Sequence, residues 1–117
     1  MKGEDLEQAI LIEWCKMQEN AHPELKMIFA IPNGGKRDIK TATKLKKTGV
    51  KSGVPDLMLA VPKNGKAGLF IEMKYGKNKP SQNQKKWINL LIKQGYEVCI
   101  CYGAEEAIEK IKKYLNI

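Results

Sequence analysis

The sequence has little of several residues on which catalytic and structural sites often depend. It contains one histidine, one arginine and three cysteines in 117 residues. A single histidine excludes a histidine-rich zinc site and leaves His22 as the only imidazole base for a catalytic triad. An odd number of cysteines argues against a disulfide framework and favours a reducing compartment, so we expect a cytoplasmic protein.

Long apolar runs and a secretory leader are also missing. No apolar run approaches the roughly 20 residues that span a bilayer, and the N-terminal segment MKGEDLEQ is acidic, so we expect neither a membrane span nor export. No glycine-rich phosphate-binding pattern follows a predicted strand, so we expect no nucleotide cofactor. The length suits one domain, residues 1–117, with an ordinary hydrophobic core.

Positive charge is what the sequence has in excess. The net charge is +8, and residues 36–86 contain 14 basic and 3 acidic residues. A concentrated basic segment is typical of a protein that binds a polyanion such as DNA. A solvated lysine-rich surface has the same composition, so charge alone leaves both interpretations open.

Apolar periodicity predicts an α/β fold in the order α-β-α-β-β-α-β-α. The predicted helices span 4–19, 36–48, 82–94 and 104–115, and the predicted strands span 27–31, 56–61, 68–74 and 96–102. A stripe at helical spacing on the first helix is expected to face the core: Leu6, Ile10, Trp14 and Met17. Three more apolar residues, Leu11, Ile12 and Cys15, widen the stripe, so we expect this helix to be buried on more than one side. The second and third strands are joined by a short turn and are expected to be antiparallel. A helix joins the third strand to the fourth and predicts a parallel pair, which gives a mixed sheet flanked by helices.

Acidic residues stand at the ends of two predicted strands inside the basic segment. Asp56 opens the second strand, and Glu72 and Lys74 lie on one face near the end of the third. Two carboxylates that approach each other repel unless a cation lies between them, and oxygen ligands suit Mg²⁺ or Mn²⁺. A lysine beside them can hold a water molecule and offset developing charge. A metal ion, a water molecule and a lysine arranged in this way are suited to phosphodiester hydrolysis. A strand-capping aspartate and a surface Glu–Lys pair are the alternative interpretation of the same residues.

The spacing of Pro55-Asp56 and Glu72-Met73-Lys74 resembles the PD-(D/E)xK nuclease signature, and the flanking sequence resembles the VRR-NUC family within that superfamily. The matching blocks are Glu4, Gln8 and Trp14, residues 31–37 (IPNGGKR), residues 49–57 (GVKSGVPDL), residues 69–74 (LFIEMK), and Ser81, Gln84, Trp87 and Gly95-Tyr96. Several blocks in the same order are more specific than the motif alone, and they cover nearly the whole chain.

The resemblance implies a restriction-endonuclease-like fold and a set of site residues. Asp56 and Glu72 would bind a catalytic Mg²⁺, for which Mn²⁺ can substitute, and the Met73 carbonyl would be a further ligand. Lys74 would position the attacking water or help to deprotonate it. Three more residues have assigned places: Glu4 on the first helix as the remaining acid, Glu7 as its alternative, and Gln84 near the metal. Each of these three also has a plain structural interpretation, as an acid at a helix N-terminus or an exposed helix residue.

The resemblance also implies a DNA substrate and a dimer. The residues expected to contact DNA are Asn33, Lys36, Arg37, Lys40, Lys44, Lys46, Lys47, Lys51 and Tyr75, with Arg37 suited to bidentate phosphate contact. Stand-alone members of the family, many from phages, are associated with branched DNA such as four-way junctions and act as homodimers. The expected function is therefore a metal-dependent, structure-selective endonuclease. A nuclease-fold protein that binds DNA without cutting it is the alternative, and a sequence-specific restriction enzyme is less favoured because the chain is short.

Overall fold

The computed structural model describes residues 1–32 and 38–117. The described elements are α1 (Gly3–Gln18), a 3-10 helix (Pro23–Met27), β1 (Ile28–Ala30), α2 (Ile39–Lys47), β2 (Leu57–Leu59), β3 (Leu69–Lys74), α3 (Gln82–Lys93), β4 (Glu97–Tyr102) and α4 (Ala104–Leu115). The predicted α/β class and element order are confirmed. The 3-10 helix is an addition, and it takes Met27 out of the predicted first strand.

The four strands form one mixed sheet in the order β1-β2-β3-β4. The pairs β1–β2 and β2–β3 are antiparallel, and β3–β4 is parallel, as the connections predict. In this register Leu57 lies opposite Ile71, and Glu72 lies opposite Ile100. The start of β2 and the second half of β3 therefore come together, which is the part of the sheet where the candidate site lies.

The main hydrophobic core lies between one face of the sheet and helices α1 and α4. Its buried members include Leu59, Leu69 and Ile71 from the sheet, Leu11 from α1 and Ile111 from α4. Residues at i, i+2 along a strand share a face, so this packing assigns the intervening residues of β3 to the opposite face. No helix within the described ranges is both long enough and apolar enough to cross a membrane.

The predicted core stripe of α1 is confirmed for Trp14, which packs against the core, and is wrong for its other three residues. Leu6, Ile10 and Met17 are 42%, 45% and 72% exposed, whereas Leu11 and Cys15 are buried. Helix α1 is apolar on two faces, and the face that carries Leu11 and Cys15 packs against the core. Periodicity identifies an apolar face but does not identify what covers it.

Helices α2 and α3 begin at side-chain caps and pack less tightly than α1 and α4. The Asp38 carboxylate accepts a hydrogen bond from the Thr41 backbone N–H at 2.7 Å, so α2 begins at the cap that these residues form. In α3, Trp87 and Leu91 are half-buried, whereas Leu90 is 44% exposed. Only one flank of α3 therefore lies against the sheet.

Candidate active site

Strand β3 carries two charged side chains that are almost fully buried. Glu72 is 1% exposed and Lys74 is 6% exposed, and both lie on the face opposite the core residues Ile71 and Met73. Removing a carboxylate and an ammonium from water is costly unless each has polar partners. The second half of β3 therefore departs from the usual distribution of charge, which makes it the first candidate for a functional site.

Asp56, the residue just before β2, places its carboxylate beside the buried charged residues of β3. Its carboxylate oxygen Oδ2 accepts a hydrogen bond from the backbone N–H of Met73 at 2.7 Å. Its own carbonyl accepts a hydrogen bond from the Ile31 N–H at 2.8 Å. Because Met73 lies between Glu72 and Lys74 in the chain, the bond to its N–H fixes the Asp56 carboxylate beside the two buried charged residues.

A glycine brings the loop before Asp56 against helix α3. Gly53 has a φ of +93°, and a Cβ atom there would lie 2.8 Å from the backbone carbonyl carbon and oxygen of Asn83. The Ser52 hydroxyl also accepts a hydrogen bond from Asn83 Nδ2 at 3.3 Å. Glycine alone permits both the conformation and the close approach, so this loop and the first turn of α3 are held together.

Gln84 joins the two charged residues of β3 to the beginning of α3. Its Oε1 accepts a hydrogen bond from Lys74 Nζ at 2.9 Å, and its Nε2 donates one to Glu72 Oε2 at 3.1 Å. Gln84 Oε1 also accepts from the Ser81 N–H at 2.8 Å, while the Ser81 hydroxyl accepts from the Gln84 N–H at 3.2 Å. This reciprocal pair is a capping box, so one side chain both caps α3 and fixes the orientation of Glu72 and Lys74.

Glu72 has an unusual protonation equilibrium and an unusual free oxygen. Burial, and then the neighbouring Asp56 carboxylate, raise the pKa of Glu72 to about 8, although Lys74 at 3.4 Å opposes the shift. Its Oε1 atom is buried and has no hydrogen-bond partner among the described residues. A raised carboxyl pKa beside a second carboxylate indicates a place where a bound positive charge would be favourable.

The donor set fits a hard divalent cation. Asp56 and Glu72 supply carboxylate oxygens. Because Glu72 Oε1 accepts no hydrogen bond from the described residues, its lone pairs could coordinate a cation. In the described parts of the chain, no three His, Cys, Asp or Glu side chains cluster closely enough to hold a metal ion. Asp56 and Glu72 are therefore the two acidic side chains that the structure brings together here, and their role as metal ligands, like that of the Met73 carbonyl, remains a prediction.

The two acids expected on α1 have different surroundings. The Glu7 carboxylate accepts a hydrogen bond from the Ala104 N–H at 2.8 Å, which caps the first turn of α4. The Glu4 carboxylate accepts a longer bond, 3.4 Å, from Asn78 Nδ2 in the loop that follows β3. Glu7 thus has a structural partner at the start of α4, whereas Glu4 contacts the loop that follows Lys74.

The residues expected to bind DNA divide into two groups. Asn33, Lys36 and Arg37 lie outside the described residues, so their prediction stays as it was made. The others are exposed: Lys40, Lys44, Lys46, Lys47, Lys51 and Tyr75. Tyr75 directly follows Lys74 and is 52% exposed, so its ring is accessible at the edge of the candidate site.

Two features of the site were not foreseen. The spacing Ser81-x-x-Gln84 is a sequence signal for a capping box, and it could have linked the start of α3 to the site. Asn78 holds Glu4 through its side chain, and its carbonyl accepts a hydrogen bond from the Tyr102 hydroxyl at 2.8 Å. No sequence pattern marks Asn78, because both partners come from distant parts of the chain.

Comparison with known proteins relates the whole chain to one family. A family model described as the VRR-NUC domain matches residues 3–105. The chain is also similar to a solved structure described as a VRR_NUC domain protein, at 32% sequence identity and a TM-score of 0.82. That similarity covers 98% of this chain and 91% of the other. A search of curated proteins gave no match.

Proposed function

This chain belongs to the VRR-NUC family, whose nuclease-fold domains act on DNA, and from that premise we propose that it is a metal-dependent endonuclease. The cofactor we propose is Mg²⁺, with Mn²⁺ able to substitute. One observation carries the proposal: Asp56, Glu72 and Lys74 adjoin on one face of the sheet, two of them buried. Buried charge of this kind lowers stability, and catalysis of phosphodiester hydrolysis is a reason for a protein to retain it.

Each side chain has a role in this mechanism that follows from its contacts. Asp56 and Glu72 would hold the cation through carboxylate oxygens. When bound, a divalent cation supplies positive charge beside the scissile phosphate and lowers the pKa of water. Lys74, oriented by Gln84, would donate a hydrogen bond to the attacking water and offset negative charge that develops on phosphorus oxygens. Gln84 acts by positioning Glu72 and Lys74.

The exposed lysines of α2 and Lys51 would contact the DNA backbone. Lys51 belongs to the loop that leads to Asp56, and α2 comes just before that loop. Ammonium groups along such a surface neutralise phosphates without reading sequence, which suits recognition by DNA shape. We infer that branched DNA, including the four-way junction, is the preferred substrate. The single domain over residues 1–117 and the cytoplasmic location remain part of the proposal.

A homodimer is the assembly we propose. Symmetric cleavage of a four-way junction needs two active sites, and a two-fold dimer supplies both. Support comes from the outer face of α1, where Leu6, Ile10 and Met17 are exposed in a stripe at helical spacing. A helix with two apolar faces gains further stability when a partner covers the second face.

The test is cleavage of a synthetic four-way junction and of a linear duplex of the same length. Wild type, Asp56→Asn and Glu109→Gln would be compared with Mg²⁺, with Mn²⁺ and with a chelator. Glu109 is an exposed acid on α4 and is the matched control for loss of one negative charge. We expect wild type and Glu109→Gln to cut the junction with either metal, and Asp56→Asn to lose at least 100-fold in rate, about 2.7 kcal/mol.

The alternative is a nuclease-fold protein that binds DNA without cutting it. It would be favoured if wild type bound the junction and cut neither substrate with either metal. Equal cutting of junction and linear duplex would retain the nuclease and remove the structural selectivity. Cutting that survives Asp56→Asn would remove the assigned site.

A further inference from the structure

We propose that a cavity on the opposite face of the sheet from Glu72 binds a nucleotide through its phosphate. The cavity has a volume of about 360 Å³ and is lined by three lysines, Lys66, Lys110 and Lys113. Its volume falls within the range of about 300–1,000 Å³ that is typical of small-molecule sites. This inference goes beyond the nuclease proposal, because none of the lining residues belongs to the candidate active site.

The position of the cavity separates it from the candidate active site in two ways. Leu69 lines it, and Leu69 is the first residue of β3, whereas Glu72 and Lys74 lie in the second half of that strand. Side chains alternate along a strand, so Leu69 and Glu72 also face opposite sides of the sheet. A ligand here would lie against α4, which packs on the core face, and would not block the site.

Two hydrogen bonds fix the walls of the cavity. Asn64 Nδ2, in the turn between β2 and β3, donates to the Tyr114 carbonyl of α4 at 3.1 Å. The Tyr114 hydroxyl donates to the Val61 carbonyl at the start of that turn at 2.6 Å. These bonds hold the turn that carries Lys66 against the end of α4 that carries Lys113. The cavity is therefore formed before any ligand enters, which lowers the cost of binding.

The lysines of the cavity have no acidic partner within residues 1–32 and 38–117. Helix α4 allows a direct comparison, because Lys112 pairs with Glu109 at 3.7 Å, whereas Lys110 and Lys113 make no ion pair in the described ranges. Lys110 and Lys113 are three residues apart and share one side of the helix. Positive groups around a concave surface focus the field and attract an anion.

The remaining lining residues define the rest of the ligand. Three of the lining residues are apolar: Leu69 and Tyr114, which are 1% and 5% exposed, and Cys99. One acid, Glu97, also lines the cavity and reduces the positive charge without cancelling it. A cavity lined by both apolar and cationic side chains suits a molecule with an apolar part and an anionic group. A nucleoside monophosphate has both, whether it is free in solution or is the 5′-phosphorylated end of a DNA strand.

The test uses NMR titration of the ¹⁵N-labelled full chain in metal-free buffer with chelator, so that no strand is cut. The probes are dAMP, deoxyadenosine and a 5′-phosphorylated tetradeoxyadenylate, followed at the side-chain amides of Asn64 and Asn116. The variant Lys110→Gln/Lys113→Gln is compared with Lys16→Gln/Lys26→Gln, which has the same net charge and leaves the cavity intact. We expect saturable shifts with both phosphorylated probes and about tenfold weaker binding in the cavity variant alone.

Each outcome decides the proposal. Tighter binding of the tetranucleotide than of dAMP would identify a DNA end as the source of the phosphate, and equal binding would identify the free nucleotide. Absence of saturable shifts with either phosphorylated probe would overturn the proposal. So would equal weakening in the two lysine variants, or binding of deoxyadenosine as tight as that of dAMP, because the cavity lysines would then have no specific role.

Discussion

Strand β3 and helix α1 invert the usual distribution of polarity in opposite directions. In β3, Glu72 and Lys74 are charged and buried; in α1, Ile10 and Met17 are apolar and exposed. Each arrangement is unfavourable in an isolated chain in water. The buried charges are compensated inside the protein by Gln84, whereas nothing described in the chain covers the apolar stripe. The buried charges of β3 therefore support the proposed active site, and the exposed apolar stripe of α1 supports the proposed homodimer.

The largest expected effect is a difference in the free energy of unfolding between substitutions on the two faces of α1. Leu11→Ala removes a fully buried side chain and should lower the free energy of unfolding by roughly 3 kcal/mol. Ile10→Ala, on the 45% exposed outer face, should lower it by less than about 1 kcal/mol in the monomer. Urea unfolding at low protein concentration measures both variants.

Sedimentation equilibrium tests whether the exposed face of α1 forms the proposed dimer interface. Wild type and Ile92→Glu, a control on the exposed side of α3, should be dimers, and Ile10→Glu should be a monomer. A dimeric Ile10→Glu variant would place the interface elsewhere, and a monomeric wild type would remove the dimer from the proposal.

The next largest effect concerns the compensation of the buried charges. Gln84→Ala removes the hydrogen bonds to Glu72 and Lys74 together with half of the capping box. We expect the free energy of unfolding to fall by roughly 2 kcal/mol. The control is Gln82→Ala, at an exposed position of the same helical turn, which should change it by less than about 0.5 kcal/mol. Equal effects in urea unfolding would show that Gln84 does not stabilise the buried pair.

The smallest effect, taken over one pH unit, is a pH dependence of the metal-free protein. The pKa of Glu72 is raised from 4.5 to about 8, so the folded state holds one more proton than the unfolded state between these pH values. The stabilisation is complete below pH 4.5 and is lost as the pH rises through 8. The free energy of unfolding should therefore decrease by roughly 1 kcal/mol per pH unit in this range.

Glu72→Gln should remove that contribution, and Glu109→Gln, at an exposed acid, should keep it. Urea unfolding at several pH values between 5 and 8, with chelator present, measures the slope for each protein. A slope unchanged in Glu72→Gln would show that another group titrates.

Much of the fold was predictable because local patterns and connection lengths agree. The turn at residues 62–67 allows only an antiparallel β2–β3 pair, and helix α3 provides the crossover for parallel β3–β4. Helix α3 begins at Gln82, as predicted, with Ser81 as its N-cap. The stripe on α1 misled because Leu6 and Ile10 satisfy the helical period as well as Leu11 and Cys15 do. Hydrophobicity ranks both faces alike, and the choice between them depends on tertiary packing.

The candidate site was predictable as a set of residues and less so as an arrangement. Alternation along β3 places Glu72 and Lys74 on one face, and strand pairing brings Asp56 near them. The bond from the Met73 N–H to Asp56 depends on register, which the sequence does not give. The division of roles between Glu4 and Glu7 depends on where α4 begins, because the Ala104 N–H is the partner of Glu7.

That contact between Glu7 and Ala104 also bears on how the chain folds during synthesis. It joins residues 97 positions apart, and α1 packs on α4, so α1 cannot complete its packing until α4 has been synthesised. The strands, in contrast, lie in the sheet in the order of their synthesis and can pair one after another. We therefore expect α1 to be open to proteases and chaperones on nascent chains and to become protected only after α4 has left the ribosome.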